Sequence, residues 1–407
     1  MRRVVVTGMG IVSSLGHSVA AAYERLKTPR NCVRRSDELQ TYKGLQTCLW
    51  APCGYVRPPD YTRKVIRTMS PVSEMALFAT DQALAQAGLL GDPVVRGGRL
   101  GVAYGSCSGG VAANADFYSV LMNREVRNVT SSTYIKMMSQ TCAVNLSVHY
   151  GTTGRLLPTG TACTSGSLAV GEAYEAIRYG AQDVMIAGGA EEFSVTQVAV
   201  FDTLFATSRR NDAPETTPRA FDRDRDGLVI GDGAATLILE EYGHARARGA
   251  TVLAEVVGFG TNTDGRHVTQ PNAETMAVAL KLALENAGLA PSDIGYVNAH
   301  GTATDLGDVA EGTATAAVFG AAKPLVSTIK GYTGHTLGAC GAIEAALTVE
   351  MLRHGWFAPN LNLAHPDPRC GEHDFITGAG RAAVTEFAMS DNFAFGGVNT
   401  SLVFRRA

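Results

Sequence analysis

In the run Gly160–Gly166, GTACTSG, one cysteine, Cys163, stands among Thr, Ala, Ser and Gly, immediately before a helical pattern. A thiolate is the nucleophilic form of cysteine, and a helix start lowers a thiol pKa through its dipole and free N–H groups. Small neighbours let a substrate carbonyl approach and leave backbone N–H groups free to hold an oxyanion. Two histidines stand in matching surroundings, after predicted strands and beside glycine: His300 in NAHGTATDLGD and His335 in KGYTGHTLGACG. Two neutral imidazoles can donate Nε2–H bonds to one developing oxyanion, or one can shuttle a proton. Lys330 lies five residues before His335, and Glu344 falls on the following helix. A buried Lys–Glu pair would orient such a site or set its charge. Phe395, in NFAFGGVNT, precedes two glycines, so its loop has the freedom to gate a pocket.

Each residue alone has a plainer reading. Most free cysteines are buried and structural, a lone histidine belongs to core or surface, and a Lys–Glu pair is usually an ordinary ion pair. The combination carries the chemical reading.

The elements that must position these groups alternate. RRVVVTGMGIVSS reads as a β-branched strand ending in a Gly turn. SPVSEMALFATDQALAQAGL has a Ser start, helical spacing of apolar residues and a Gly stop. RLGVAYGSCSGG and DVMIAGGAEEF are strands running into tight turns, and SLVFRRA is a closing strand. The class is α/β. An internal echo points to duplication. A shift of 175 places Glu175 on Glu350, Arg178 on Arg353, Gly180 on Gly355, Cys163 on Gly338 and Gly160 on His335. Corresponding turns of two halves would then carry complementary chemistry. The expected division is 1–250, with the cysteine and the insertions, and 251–407, with both histidines. The polar segment RRNDAPETTPRAFDRDRDG, residues 209–227, reads as a surface excursion between them.

The 407 residues exceed what one ordinary core supports. The net charge of −3 argues against nucleic acid as a partner, local basic patches aside. Glycine, at 45 residues, is over-represented and clusters in short turns, as close backbone approach requires. The eight cysteines show no zinc or disulfide spacing, and the amino-terminal run lacks a signal-peptide core. No apolar run is long enough to span a bilayer, so a reducing cytoplasm is the expected compartment.

Taken in order, VTGMGIVSSLG, GTACTSG, RAFDRDRDGLVIGDGAA, NAHGTATDLGD, KGYTGHTLGACGAIEA and NFAFGGVNTSLVF resemble the β-ketoacyl-acyl-carrier-protein synthases, decarboxylating condensing enzymes of the thiolase superfamily. The resemblance runs over nearly the whole chain. It implies two similar βαβαβαββ halves in a five-layered α-β-α-β-α sandwich with the site between them. It implies that Cys163 takes an acyl chain from a carrier protein, and that His300 and His335 assist decarboxylation of a malonyl thioester. It implies an acyl oxyanion hole from the N–H groups of Cys163 and Phe395, and a supporting pair from Lys330 and Glu344. Thr302 and Thr304 would hold the phosphopantetheine arm, Phe395 would gate, and Ser108 would fall near the acyl pocket and leave it roomier or more polar. Lys64, Arg67, Arg124 and Arg127 match the basic residues that dock an acidic acyl carrier protein. No metal or organic cofactor is implied, because the pantetheine arrives with the carrier. Relatives are homodimers, and a heterodimer with a ketosynthase-like subunit is the other arrangement. The segment TYKGLQTCLWAPCGYVRPPDYTRKVIRTMS resembles synthases of bacterial aryl polyene clusters.

The chain departs from the family pattern at Ile329 (Thr is common), Ala394 (Gly), Asp391 (Asn) and Asp305 (Pro). Ala394 and Asp391 are expected to alter the motion of the Phe395 loop. Other classes fit less well. A silent chain-length-factor-like partner lacks the nucleophile, a thiolase needs a second carboxy-terminal cysteine, and an initiating synthase pairs Cys with His and Asn. A dinucleotide fingerprint fails at Ser13 and lacks its acidic residue.

Overall fold

A computed structural model describes all 407 residues. Eleven strands form one sheet: β1 (Val4–Val12), β2 (Leu100–Gly105), β3 (Leu156–Thr159), β4 (Val184–Glu191), β5 (Gly233–Glu241), β6 (Ala254–Thr263), β7 (Ile294–Asn298), β8 (Leu325–Ser327), β9 (Asp374–Phe375), β10 (Phe387–Phe393) and β11 (Val398–Arg406). Their order is β9-β8-β7-β10-β11-β6-β1-β5-β4-β2-β3. Read outward from the β1–β6 junction, the order is β1-β5-β4-β2-β3 on one side and β6-β11-β10-β7-β8 on the other. Both runs pair antiparallel, antiparallel, parallel, parallel. The same topology has therefore been laid down twice. At the junction Val4–Val6 pair antiparallel with Ala254–Val256, and Arg3 clasps Glu255 through two hydrogen bonds of 2.8 and 2.7 Å.

Helices α1 (Pro71–Ala87) and α2 (Thr141–Tyr150) cover the outer face of the first run of strands. Helices α5 (Ala273–Ala287) and α6 (Asp305–Phe319) cover the outer side of the second. Between the two runs lie α3 (Ser165–Arg178) and α7 (Cys340–His354), completing five α-β-α-β-α layers. β1 is buried along its whole length, which is why it reads as a near-continuous β-branched run without polar alternation. α1 begins at Pro71 with Ser70 and Ser73 exchanging hydrogen bonds, and stops at Gly88, whose φ of 68° suits glycine.

The 175-residue echo is realised atom by atom. Each central helix follows one 3-10 turn, Ala162–Thr164 and Leu337–Ala339, and both turns open on a non-glycine residue at positive φ: Ala162 at 51° and Leu337 at 47°. Such backbone is costly and clusters at functional sites. The two helix starts then cross in backbone contact. A Cβ on Gly166 would lie 2.8 Å from the Ala342 nitrogen, and one on Gly341, its counterpart, would lie 2.5 Å from the Ser167 nitrogen.

Residues 209–227 differ from the expected surface excursion. From Thr217 onward the segment turns inward: Phe221 stacks on Phe375 with ring centroids 4.9 Å apart, and the Arg225 side chain is fully buried. The reason is electrostatic satisfaction. Arg225 donates to Asp367 (2.7 Å), to the Thr304 carbonyl (3.1 Å) and to Asp305 (3.2 Å). Gly227 N–H donates to the Ala303 carbonyl (3.0 Å). The segment thus buttresses the loop that carries His300.

Replacing Gly166 with Ala should destabilise the protein by about 2–3 kcal/mol, because the added methyl meets backbone that cannot rotate away. Urea unfolding would read this, and an unchanged midpoint would show that the crossing has slack.

Candidate active site

The crossing of α3 and α7 brings the two turns before them face to face. Cys163 Sγ lies 3.0 Å from His335 Nε2. One ring nitrogen of His300, one of His335 and the Cys163 sulfur lie within 4.8 Å of one another, and all three residues are buried. The imidazoles meet edge to face at 87°, with centroids 5.2 Å apart. Residues 172 and 137 positions away from Cys163 are thereby assembled around it.

Hydrogen bonds set the tautomers. Leu337 N–H donates to His335 Nδ1 (3.3 Å), so the proton of that neutral ring sits on Nε2 and faces the sulfur. Lys330 Nζ donates to His300 Nδ1 (3.1 Å), which likewise leaves the His300 proton on Nε2. Lys330 also pairs with Glu344, both side chains being buried. Burial works against the ammonium, but the Glu344 carboxylate, together with Cys340 and Glu311, leaves the Lys330 pKa above its ordinary value. Burial and then the Lys330 charge push both imidazoles well below their ordinary pKa, with His335 adding to the effect on His300. At neutral pH the pair is neutral and presents two N–H donors.

The thiol differs from the expectation of a lowered pKa. Burial pushes Cys163 up to about 11, against the opposing pull of Lys330 and of hydrogen bonds from the backbone N–H groups of Phe395 and Cys163 itself. The helix start is present, but desolvation outweighs it. Those two N–H groups lie near the sulfur, where an acyl oxygen would need donors.

A cavity of about 350 Å³ opens onto Cys163. His300, His335, Thr302, Thr304, Ala394 and Phe395 all line it. Thr302 and Thr304 are linked through their hydroxyls (2.9 Å). Phe395 is half-buried, packs on Phe201 at 5.0 Å and precedes Gly396 and Gly397, both at positive φ. The mouth is rimmed by exposed apolar side chains, Phe205 (77%), Val268 (69%) and Leu306 (61%).

Other expected residues fall outside these walls. Ser108 does not line this cavity; it accepts from Gln197 Nε2 (3.1 Å). Lys64, Arg67, Arg124 and Arg127 are exposed and absent from the rim, and Arg127 pairs with Glu125 (2.7 Å). Asp391 lies within strand β10, buried ahead of the Phe395 loop, its carboxyl pushed up to about 7 by burial. Asp305 holds Arg225 and Arg369 (2.5 Å), and Ile329 is buried ahead of Lys330.

Two further residues complete the site. Asn392 Nδ2 donates to Glu344 Oε2 (2.6 Å) and to His300 Nδ1 (3.2 Å), giving that nitrogen a second donor beside Lys330. Glu311 accepts from the N–H groups of His300 (2.6 Å) and Gly301 (2.7 Å) and fixes the loop backbone. Asn392 adjoins Asp391 in a motif already of interest, but nothing local distinguishes it. Glu311 looks like any helical acid. Ligand atoms of His300, Cys340 and Glu344 also cluster within 4.8 Å, yet the Lys330 ammonium already lies against two members of that set, which does not fit a cation.

Comparison with known proteins converges. Residues 1–245 match the family model "Beta-ketoacyl synthase, N-terminal domain", and residues 253–364 match "Beta-ketoacyl synthase, C-terminal domain". The chain is 38% identical over 415 aligned positions to 3-oxoacyl-[acyl-carrier-protein] synthase 2 of Vibrio cholerae, covering 100% of this chain and 99% of that one. It superposes on the crystal structure of a beta-ketoacyl synthase from Burkholderia phymatum with a TM-score of 0.98 at 54% identity, covering 100% of each chain. It also resembles a type II polyketide ketosynthase solved in complex with its acyl carrier protein, with a TM-score of 0.88 at 29% identity, covering 100% of this chain and 99% of that one.

Because only the thiolate alkylates and the Cys163 pKa is raised, iodoacetamide labelling of Cys163 should accelerate about tenfold per pH unit from neutrality towards pH 10. Mass spectrometry of the Cys163 peptide would follow it. A rate already level near neutral pH would contradict a burial-dominated thiol.

Proposed function

Because the chain belongs to the β-ketoacyl synthase family, we propose that its site joins a Cys163-bound acyl chain to malonyl-acyl-carrier protein with loss of CO2, giving β-ketoacyl-acyl-carrier protein. It is an acyltransferase of chain elongation, and its macromolecular partner is an acyl carrier protein. One observation carries the residue roles: both imidazoles have Nδ1 occupied by a donor, so both keep the proton on Nε2, and that of His335 faces the sulfur.

In the first half-reaction the Cys163 sulfur attacks the carrier thioester, the carrier thiolate leaves with the thiol proton, and the acyl oxygen is held by the N–H groups of Cys163 and Phe395. In the second, the bond between the malonyl carbon and its carboxylate breaks. CO2 departs, and the electron pair passes into an enolate whose oxygen takes hydrogen bonds from His300 and His335. The carbanion attacks the acyl carbon, the C–S bond breaks with its electron pair leaving on sulfur, and the Cys163 thiolate takes a proton from solvent. Lys330, Glu344 and Asn392 hold His300. Thr302 and Thr304 hold the pantetheine arm, and Phe395 gates the entrance. The enzyme needs no metal or organic cofactor of its own, since the reactive thioesters arrive on the carrier. The silent-subunit reading is not favoured, because nucleophile and both imidazoles are in register.

Lys64, Arg67, Arg124 and Arg127 supply exposed cations for an acidic carrier. The working state is a homodimer. In its support, β3 is the outermost strand at its end of the sheet, and Tyr118, Leu121, Met122 and Val126 expose apolar surface. A ketosynthase-like second subunit would use the same face. We divide the chain at 250/251, between β5 and β6. No helix is long and apolar enough to cross a membrane, and all eight cysteines are free, which suits a reducing cytoplasm.

Intact-protein mass after mixing with saturated, unsaturated and aryl-primed acyl carriers should show one acyl adduct, absent in Cys163→Ala, that a malonyl carrier discharges. No adduct from any donor would withdraw Cys163 as the acyl acceptor. Asn392→Ala should lower the condensation kcat about 10- to 100-fold with KM little changed, as expected when a hydrogen bond to a buried charge is lost. A change confined to KM would remove Asn392 from the orientation of His300.

A further inference from the structure

Buried acids hold His300: Glu344 acts through Lys330 and Asn392, and Glu311 through the loop backbone. A further buried acid, Glu191, stands on the side of His335 and plays no part in the condensation steps. It ends strand β4 and is closed off from solvent. Its partners are the N–H groups of Cys107 (2.8 Å), Ser108 (3.3 Å) and Gly338 (3.2 Å), with no cation among them. Burial pushes the carboxyl up to about 7, against the opposing hydrogen bonds from Cys107, Ser108 and Gly338. A buried acid without a cation is costly and calls for a cause.

Gly338 belongs to the turn Leu337–Ala339 that follows His335. On one side of the Leu337 α-carbon, the Leu337 N–H donates to His335 Nδ1 (3.3 Å). On the other side, the Gly338 N–H donates to Glu191 Oε2 (3.2 Å). Between these anchors Leu337 holds a φ of 47°, a conformation that costs a leucine and relaxes when an anchor is lost. Rotation about Leu337 would carry its N–H away from His335 Nδ1. The Leu337 side chain is packed in one buried cluster with Cys163 and with Val198 and Phe201 of helix α4 (Val195–Thr203), so the main chain is the part that can turn. The carboxylate also accounts for the glycine: a Cβ on Gly338 would lie 2.6 Å from Glu191 Oε2.

We infer that Glu191 is a positioning residue for His335: it grips the Gly338 N–H and so holds the backbone that keeps the His335 proton on Nε2. The inference rests on the reading of His335 as a donor to the enolate oxygen. With the proton on Nδ1, a bare Nε2 lone pair would face that oxygen and could give it no hydrogen bond. Only the ionised carboxylate accepts from all three N–H groups without presenting a proton of its own. Each imidazole then has a buried acid behind it, one acting through a lysine and an amide, the other through main chain.

The test uses the full-length protein with nitrogen-15-labelled histidine, at about pH 8, where the carboxylate is ionised. NMR of the wild type should show His335 and His300 as neutral rings protonated on Nε2. In Glu191→Gln, an isostere whose single oxygen cannot serve all three donors, His335 should populate the other tautomer while His300 keeps its signals. The malonyl-driven discharge of the acyl-Cys163 adduct should slow about 5- to 20-fold in kcat, with KM for the malonyl carrier little changed. Gly338→Ala, which keeps the carboxylate but crowds it off the turn, should give the same pattern and carries the test if Glu191→Gln does not fold. The inference is overturned if His335 keeps its tautomer in the folded variant, if His300 shifts along with it, or if discharge stays within about twofold of wild type. If no donor acylates the wild-type protein, the assignment of Cys163 fails, and the histidine signals still decide the inference.

Discussion

Cys163 and His335 meet because two helix starts touch backbone to backbone. Gly166 and Gly341 occupy the crossing of α3 and α7, and a side chain at either would collide with main-chain nitrogen of the other helix. That approach sets the separation of the turns that precede the helices. The turns share one strained opening, at Ala162 and at Leu337, and one carries Cys163 while the other follows His335. The two runs of strands on either side act as the clamp. With strands above and below, the central helices are held at this crossing.

Within the clamp the reacting side chains are buried, and burial decides the electrostatics. It keeps both imidazoles neutral and holds the thiol protonated, effects of the same origin with opposite sign on the two group types. A lysine in such a place must be paired, and Lys330 is held by Glu344 and His300. The cation thus does three things: it fixes the His300 tautomer, discourages protonation of both rings, and draws the thiol pKa down against desolvation. Asn392 adds a neutral donor to the same nitrogen and carboxylate, so His300 orientation does not depend on one bond.

The loop that bears His300 has no such clamp of its own. Its backbone is held by Glu311 from α6 and by the inward-turned segment around Arg225. That segment comes from the first half of the chain, and the loop from the second. The insertion is therefore part of the scaffold of the site. Next to this rigid floor, the entrance is soft: Phe395 stands before two glycines, and apolar side chains lie exposed around the opening.

Much of this was written in the one-dimensional chain. Glycine-bounded strands, helical spacing and the 175-residue echo gave the duplicated α/β organisation, because those signals are local or periodic. Cys163, His300, His335, Lys330 and Glu344 could be picked out, because nucleophilicity and basicity belong to side-chain types. Tertiary structure alone decided the rest. The thiol pKa rose because burial, summed over segments far apart in sequence, exceeded the pull of the helix start. Arg225, read as surface from its charge, went inside because Asp305, Asp308 and Asp367 wait for it across 80 to 142 residues. Asn392, Glu311 and Glu191 are ordinary polar residues by sequence. What they do depends on which atoms lie within hydrogen-bond reach, and only the folded chain sets those distances.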